Sequence, residues 1–237
     1  MIDREAATLR GLEPDDVILE RGRPGYPARL AATADAPPLL FVRGNAYVLN
    51  LPAITVVGAR DASDAGRARA RKLAYLLAKH GFAIASGLAR GIDTAAHTGA
   101  LQADGTTFAV IGTPLTCCYP SENAELQRRI AQAGAVISQF APASKTKPYC
   151  FPLRNATMSA LTLGTVVIEA ADGSGSLIQA RKALEQGRGL FIPRGLVENR
   201  SLSWPRTYLS RGAHVFASAE ELIAMIQKAA PPIVPGV

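Results

Sequence analysis

Ser86-Gly-Leu-Ala-Arg-Gly-Ile-Asp-Thr-Ala-Ala-His-Thr-Gly-Ala-Leu101 is the stretch on which the fold of this 237-residue chain turns. The apolar run 82–86 ends in a glycine-flanked arginine, and an alanine-rich helical pattern opens near Ile92. A strand that passes through a tight turn into a helix is the repeating unit of a parallel sheet wrapped by helices. The turn also suits an anion. Gly87 and Gly91 would let backbone N–H groups of the Ser86–Gly91 turn approach a phosphate, the helix would add its positive end, and Arg90 a full charge.

Outward from this unit, β-branched runs alternate with helical-period segments from Ile54 onward. The pattern predicts strands over 54–58, 82–86, 107–111, 135–139, 165–169 and 189–193. Helices are expected over 64–80, 92–103, 121–133, 154–162 and 176–187, with a last one near 218–228. Gly81, Gly105, Gly134, Gly164 and Gly187 each stand where a helix should stop before a strand. The fold class is therefore α/β: a doubly wound, mostly parallel sheet with helices on both faces. Residues 1–50, rich in proline and glycine between 22 and 38, read as an extended arm packing on the core. Residues 51–230 read as the sheet domain and 231–237 as a frayed tail. Two stretches break the rhythm, 141–152 and 193–205, and read as functional loops.

Charge and cysteines narrow the function classes. The chain carries a formal net charge of +7, and residues 1–50 hold more acids than bases, so the basic surplus belongs to the sheet domain. A basic chain suits a polyanionic partner, although charge alone does not establish one. Cys117, Cys118 and Cys150 lack metal-ligand spacing, which points to free thiols in a reducing cytoplasm, with no metal or cofactor. No long apolar run or signal-peptide pattern occurs, so no membrane partner is expected.

Other motifs cluster at expected strand ends, where ligands gather in doubly wound sheets. Gly58 and Arg60 follow the first strand of the domain, and Arg60 and Arg90 should converge on one crevice. Gly173-Ser174-Gly175-Ser176 precedes a helix and matches GxGxxG only in part, because Ile178 holds the third glycine position. It reads either as an anion site or as an ordinary helix cap, and Asp172 at its entrance argues against a deep pyrophosphate cradle. Lys147 and Phe151 stand in a basic stretch interleaved with aromatics, and Arg154 and Asn155 open the next helix. Phe151 suits a stacked base or a core plug equally. Asp93 and His97 lie one helical turn apart, a spacing that can orient an imidazole, but without a placed nucleophile they read as scaffolding. There is no GxxxxGK[ST] pattern for ATP hydrolysis.

Ser86–Leu101 resembles the signature of the DNA-processing protein A (DprA/Smf) family, within the wider Smf/LOG group of Rossmann-like domains. Leu40-Phe-Val-Arg-Gly44, Val56-Val-Gly-Ala-Arg60, Phe151-Pro-Leu-Arg-Asn155, Val167-Ile-Glu-Ala170, Gly173-Ser-Gly-Ser-Leu-Ile178 and Ala183-Leu-Glu-Gln-Gly-Arg188 fall in the family's order. The resemblance implies a non-enzymatic, cytoplasmic single-stranded DNA binder acting in natural transformation and recombination. It further implies loading of the recombinase RecA, and a homodimer paired through an apolar patch within 160–215. Ala156-Thr-Met-Ser-Ala-Leu-Thr162 departs from the family, which usually has a second arginine there, and neither flanking family domain fits in the sequence. The alternative is a nucleotide sensor or nucleotide-cleaving enzyme of the wider group, for instance in phage defence. Cleavage is disfavoured because Asp172–Gln179 lacks the glutamate of the cleaving branch.

Overall fold

The structure is a computed structural model that describes residues 10–229. Within them, one sheet is built from β1 (Val17–Glu20), β2 (Leu39–Gly44), β3 (Ala53–Val57), β4 (Ala83–Ser86), β5 (Thr107–Ile111), β6 (Ala135–Ser138), β7 (Gly164–Val167), β8 (Gly189–Pro193) and β9 (His214–Phe216). Its spatial order is β1-β2-β6-β5-β4-β3-β7-β8-β9. From β6 to β9 all pairs are parallel, whereas β2 joins β6 and β1 joins β2 antiparallel. The chain winds outward from β3 in both directions, first through β4, β5 and β6, then through β7, β8 and β9. The switch point lies between β3 and β7, and a crevice opens there at the carboxyl ends of the strands.

The middle strands are largely apolar, with one threonine each, because both faces are covered; every residue of β3, β5 and β7 is buried. On one face, α2 (Asp64–Lys79), α3 (Ile92–Gln102) and α9 (Ala219–Ala229) pack on Ile54, Val56, Ile84 and Val166. On that face too, α4 (Ala124–Ala133) sets Ile130 against Ala109, Ile111 and Val136. On the other face lie α1 (Ala28–Ala31), α5 (Cys150–Leu161) and α6 (Ser176–Glu185). Their Leu30, Met158, Leu161 and Ala180 meet Val57, Phe108, Val110 and Val167. The α/β, doubly wound expectation matches this architecture, and each expected strand and helix has its counterpart.

The differences are local. Within residues 10–50 the chain supplies the β1–β2 hairpin, which extends the sheet beyond β6 and is tied by Arg43, whose Nε and Nη2 donate to Asp16 at 2.9 and 2.7 Å. α5 begins at Cys150, earlier than expected, because a proline in the first helical turn removes an N–H that has no intrahelical partner. The stretch 193–205 is not an irregular loop. It carries α7 (Arg194–Glu198) and enters α8 (Trp204–Leu209), and Trp204 is buried with its indole N–H on the Ala170 carbonyl at 2.9 Å. Gly81 and Gly187 take the positive φ of a helix stop, whereas Asp104 takes it in place of Gly105, and Gly164 is already the first residue of β7. The tail 231–237 lies outside the described residues. Among the described residues no helix is long and apolar enough to cross a membrane.

The tightest helix contact is between α2 and α3, at Gly99, where a Cβ would run into the backbone carbonyl of Arg71. Alanine would gain about 1 kcal/mol of helix propensity at Gly99, but overpacking costs about 1–3 kcal/mol, and a backbone obstacle cannot turn aside. Gly99→Ala should therefore lower the unfolding free energy in a urea titration by about 1 kcal/mol; an unchanged or raised midpoint would refute this packing.

Candidate functional site

At the switch point a crevice of about 1050 Å³ opens between the turn after β3, the turn after β7, the segment 141–149 and the start of α5. Gly58, Arg60, Lys147, Phe151, Arg154, Asn155, Ser174, Gly175 and Ser176 all line it. Residues from four separate sequence motifs thus meet in one place. Gly58 permits the meeting, because a Cβ there would strike Ile92 and the Glu169 carbonyl.

The floor is made by Arg154, which is buried. Its Nη1 donates to the carbonyls of Gly87 and Val110 at 2.7 and 2.5 Å, and its Nε to Asn155 Oδ1 at 2.9 Å. Expected as a phosphate ligand, the guanidinium has two of its nitrogens fastened to the ends of β4 and β5 and to Asn155, and its charge still faces the crevice. Burial pushes its pKa down to about 10; Asp93 opposes that shift, while the nearby Arg60 charge adds to it. Gly87 is the other half of the fastening. A Cβ there would lie 2.5 Å from Arg154 Nη1, and its N–H donates to Asp93 Oδ2 at 3.1 Å.

The anion cradle expected at Ser86–Gly91 is in part already occupied. Ser86 is buried with its hydroxyl on the Val56 carbonyl at 2.7 Å, and the N–H groups of Gly87 and Ala89 are taken by Asp93. The first N–H of α3, that of Ile92, donates to Ala59 O at 3.2 Å. Gly91 serves close packing, since a Cβ there would meet the carbonyls of Ala59 and Arg60. Arg90 does not converge with Arg60; it is exposed outside the crevice lining, with its Nε 3.2 Å from Glu122 Oε1.

The walls are aromatic and cationic. The Arg60 guanidinium lies 5.9 Å from the centroid of the Phe151 ring, and Tyr119 packs on the same ring at 5.8 Å. Lys147 lies over Tyr149, which is well exposed, as are Tyr119 and Leu153. Phe151 is partly buried at the mouth, one edge of its ring against Gly112 and the rest toward the crevice. Sequence reasoning missed Tyr119. Its position in the segment that leaves the carboxyl end of β5 was the available signal. Opposite, Gly173 and Gly175 are open to solvent, and the Ser174 and Ser176 hydroxyls bond each other at 2.8 Å. Gly173 itself stands outside the lining. Asp172 is turned toward the start of α8 and keeps its negative charge. Its carboxylate accepts from the Ser203 and Trp204 N–H groups and the Ser203 hydroxyl at 2.9–3.1 Å, bonds that hold its pKa below the ordinary carboxylate range. Glu169 is likewise engaged, accepting from the N–H and hydroxyl of Ser63 at the start of α2.

Within 160–215, where an apolar pairing patch is expected, the hydrophobic side chains that reach the surface, among them Leu196, Val197, Leu202 and Leu209, are partly buried. Among the described residues no three His, Cys, Asp or Glu side chains gather as metal ligands.

Comparison with known proteins agrees with this architecture. The family model for DNA recombination-mediator protein A matches residues 17–227. The Smf protein of Escherichia coli is 38% identical over 216 residues, which cover 91% of this chain but 58% of that protein. The chain therefore spans little more than half the length of this relative. Among solved structures, DNA processing protein A of Streptococcus pneumoniae superposes with a TM-score of 0.85 at 34% identity, over 94% of this chain and 77% of that one. DNA processing protein A of Helicobacter pylori, a single-stranded DNA binder, superposes at 0.80 with 25% identity, over 92% and 98%.

The groups beneath the crevice give the fold a pH signature. His97 is fully buried with Nδ1 2.7 Å from Thr107 Oγ1, and burial, reinforced by the Arg154 charge, pushes its pKa down to about 3. Below its ordinary value of 6.5 the unfolded chain takes up a proton that the folded chain refuses, so His97 costs stability as pH falls. Asp93 acts oppositely. Burial raises it to about 6, against Arg154 and its N–H donors, so the folded chain takes its proton first and gains stability as pH falls from there. Removing His97 alone should unmask that difference: relative to the parent, His97→Gln should gain up to about 1.4 kcal/mol per pH unit below 6.5. Thermal melts between neutral pH and pH 4 that run parallel for the two proteins would contradict this.

Proposed function

The chain belongs to the DNA recombination-mediator protein A family, and on that premise we propose that its crevice binds single-stranded DNA in DNA uptake and recombination. The observation that carries the reading is the Arg60–Phe151–Tyr119 stack, with Lys147 and Tyr149 beside it, at the mouth of a crevice with a cationic floor. Rings at the mouth suit bases of any identity, and the exposed cations suit phosphates. Arg60 and Lys147 would contact successive phosphates, Phe151 and Tyr119 would stack bases, and Ser174, Gly175 and Ser176 would meet the backbone from the opposite wall. Arg90 would draw the strand in from outside. Sequence preference should be slight.

The same proposal makes the protein a binder and not a catalyst. Asp93 lines the crevice but its carboxylate already accepts from two backbone N–H groups, and His97 is no part of the lining, so the imidazole does not meet a molecule bound there. Delivery of the bound strand to RecA belongs to the proposal as well, resting on the family relationship alone.

Fluorescence anisotropy with oligothymidine across a salt series tests the crevice. Phe151→Ala should weaken binding about 10-fold or more, as expected for a lost stacking platform. Arg60→Ala should flatten the slope of log K against log salt by about 0.7, one phosphate contact. If both variants bind like the parent, the site lies elsewhere. Displacement of the oligomer by a mononucleotide at comparable concentration would favour a nucleotide sensor instead.

A further inference from the structure

Two large apolar side chains stand on the surface just outside the crevice and take no part in its lining. Tyr149 is 57% exposed and Leu153 47%, although each would be favoured by burial. They belong to one face. Tyr149 caps α5, and the Leu153 N–H donates to the Tyr149 carbonyl at 3.3 Å, the four-residue step that brings side chains into line along a helix. Thr157 continues the stripe, buried, with its hydroxyl on Gln139 Oε1 just past the carboxyl end of β6. The stripe therefore leads from the crevice mouth toward β6, away from β8 and β9.

Lys147 ties this face to the crevice. It lines the crevice and also lies over the Tyr149 ring, its Nζ 5.9 Å from the centroid, so the ring stands within one side chain's reach of the mouth. Residues 139–155 contain Lys145, Lys147 and Arg154 and no acid. An exposed ring beside a cation, in a stretch without carboxylates, suits a base and the phosphate next to it. It suits a folded protein less well, because Tyr149 and Leu153 together offer far less than the about 800 Å² that each side of a stable protein interface buries.

We infer that Tyr149, backed by Leu153, is an outer stacking platform: the base that follows those held at the Phe151–Tyr119 mouth lies on the Tyr149 ring, and the strand leaves the crevice along the start of α5 on the β6 side. The inference rests on the crevice reading and adds to it one base position and a direction of exit. Lys147, reaching both places, meets the phosphate between the inner bases and the outer one.

Stacking and phosphate contact leave different marks on a salt series with oligothymidine. Tyr149→Ala should weaken binding about 10-fold, the loss of one stacked base, and should leave the slope of log K against log salt as in the parent, because a stack releases no counterion. Tyr149→Phe should bind like the parent. Irradiation of the parent with an oligothymidine carrying 5-iodouracil should give a crosslink that mass spectrometry places on Tyr149. Circular dichroism and a thermal melt matching the parent would establish that the exposed substitution leaves the fold intact. If Phe151→Ala weakens binding while Tyr149→Ala does not and no crosslink falls on Tyr149, the outer platform is overturned and the crevice stands. If neither variant weakens binding, both fall. A weaker Tyr149→Ala with a flattened slope would make the ring a support for Lys147 and overturn the platform. So would sedimentation in which the parent self-associates and Tyr149→Ala does not, with DNA binding unchanged, since the face would then be a contact between copies.

Discussion

The whole carboxyl edge of the sheet hangs on one buried guanidinium. Arg154 reaches from the start of α5 to the carbonyls that end β4 and β5, and Gly87 accepts from it while donating to Asp93. A single residue thereby couples a cation and an anion that would each be costly to bury alone. The arrangement admits no side chain at position 87, which explains a glycine there better than any need for a flexible turn. It also fixes where α5 begins, and hence where Phe151 and Asn155 stand. The ring at the mouth and the cation below it come from one helical turn.

Electrostatically, this fastening leaves the floor of the crevice positive. Asp93 is drawn beneath the surface by N–H donors, and Asp172 and Glu169, the acids nearest the opposite wall, are turned to backbone donors at the starts of α8 and α2. What faces solvent at the mouth is Arg60, Lys147 and aromatic carbon, with Asp61 the one exposed acid of the lining. Cations and rings side by side at the mouth favour a polyanion.

The parallel core was legible because strands covered on both faces must be largely apolar, so β3 to β8 announce themselves as short β-branched runs between helical periods. β1, β2 and β9 were not. β2 pairs Val42 with Ile137, a partnership between distant segments that no local pattern encodes, and β9 is three residues long. At the site, sequence located the converging segments but mistook the duties of several residues. Arg154 and Arg90 look alike in sequence, yet one is a buried fastener and the other pairs with Glu122 at the surface. Likewise the turn after β4 has the composition of an anion cradle, but an aspartate six residues beyond Gly87 in the sequence already fills part of it. Spacing shows which groups can meet, whereas burial and competing partners decide which of them remain free.

The bonds of Asp172 to Ser203 and Trp204, with the Trp204 indole on Ala170, cross-brace one side of the crevice to α8. The other side, 141–149, is irregular and exposed over most of its length, with few bonds of its own. The two sides are thus fastened to different degrees. Were a single strand seated between them as proposed, the sugar-phosphate chain would be registered against the braced side, and bases of either width would meet the side with fewer bonds. Indifference to sequence would then follow from how the walls are held as much as from a lack of base-reading groups.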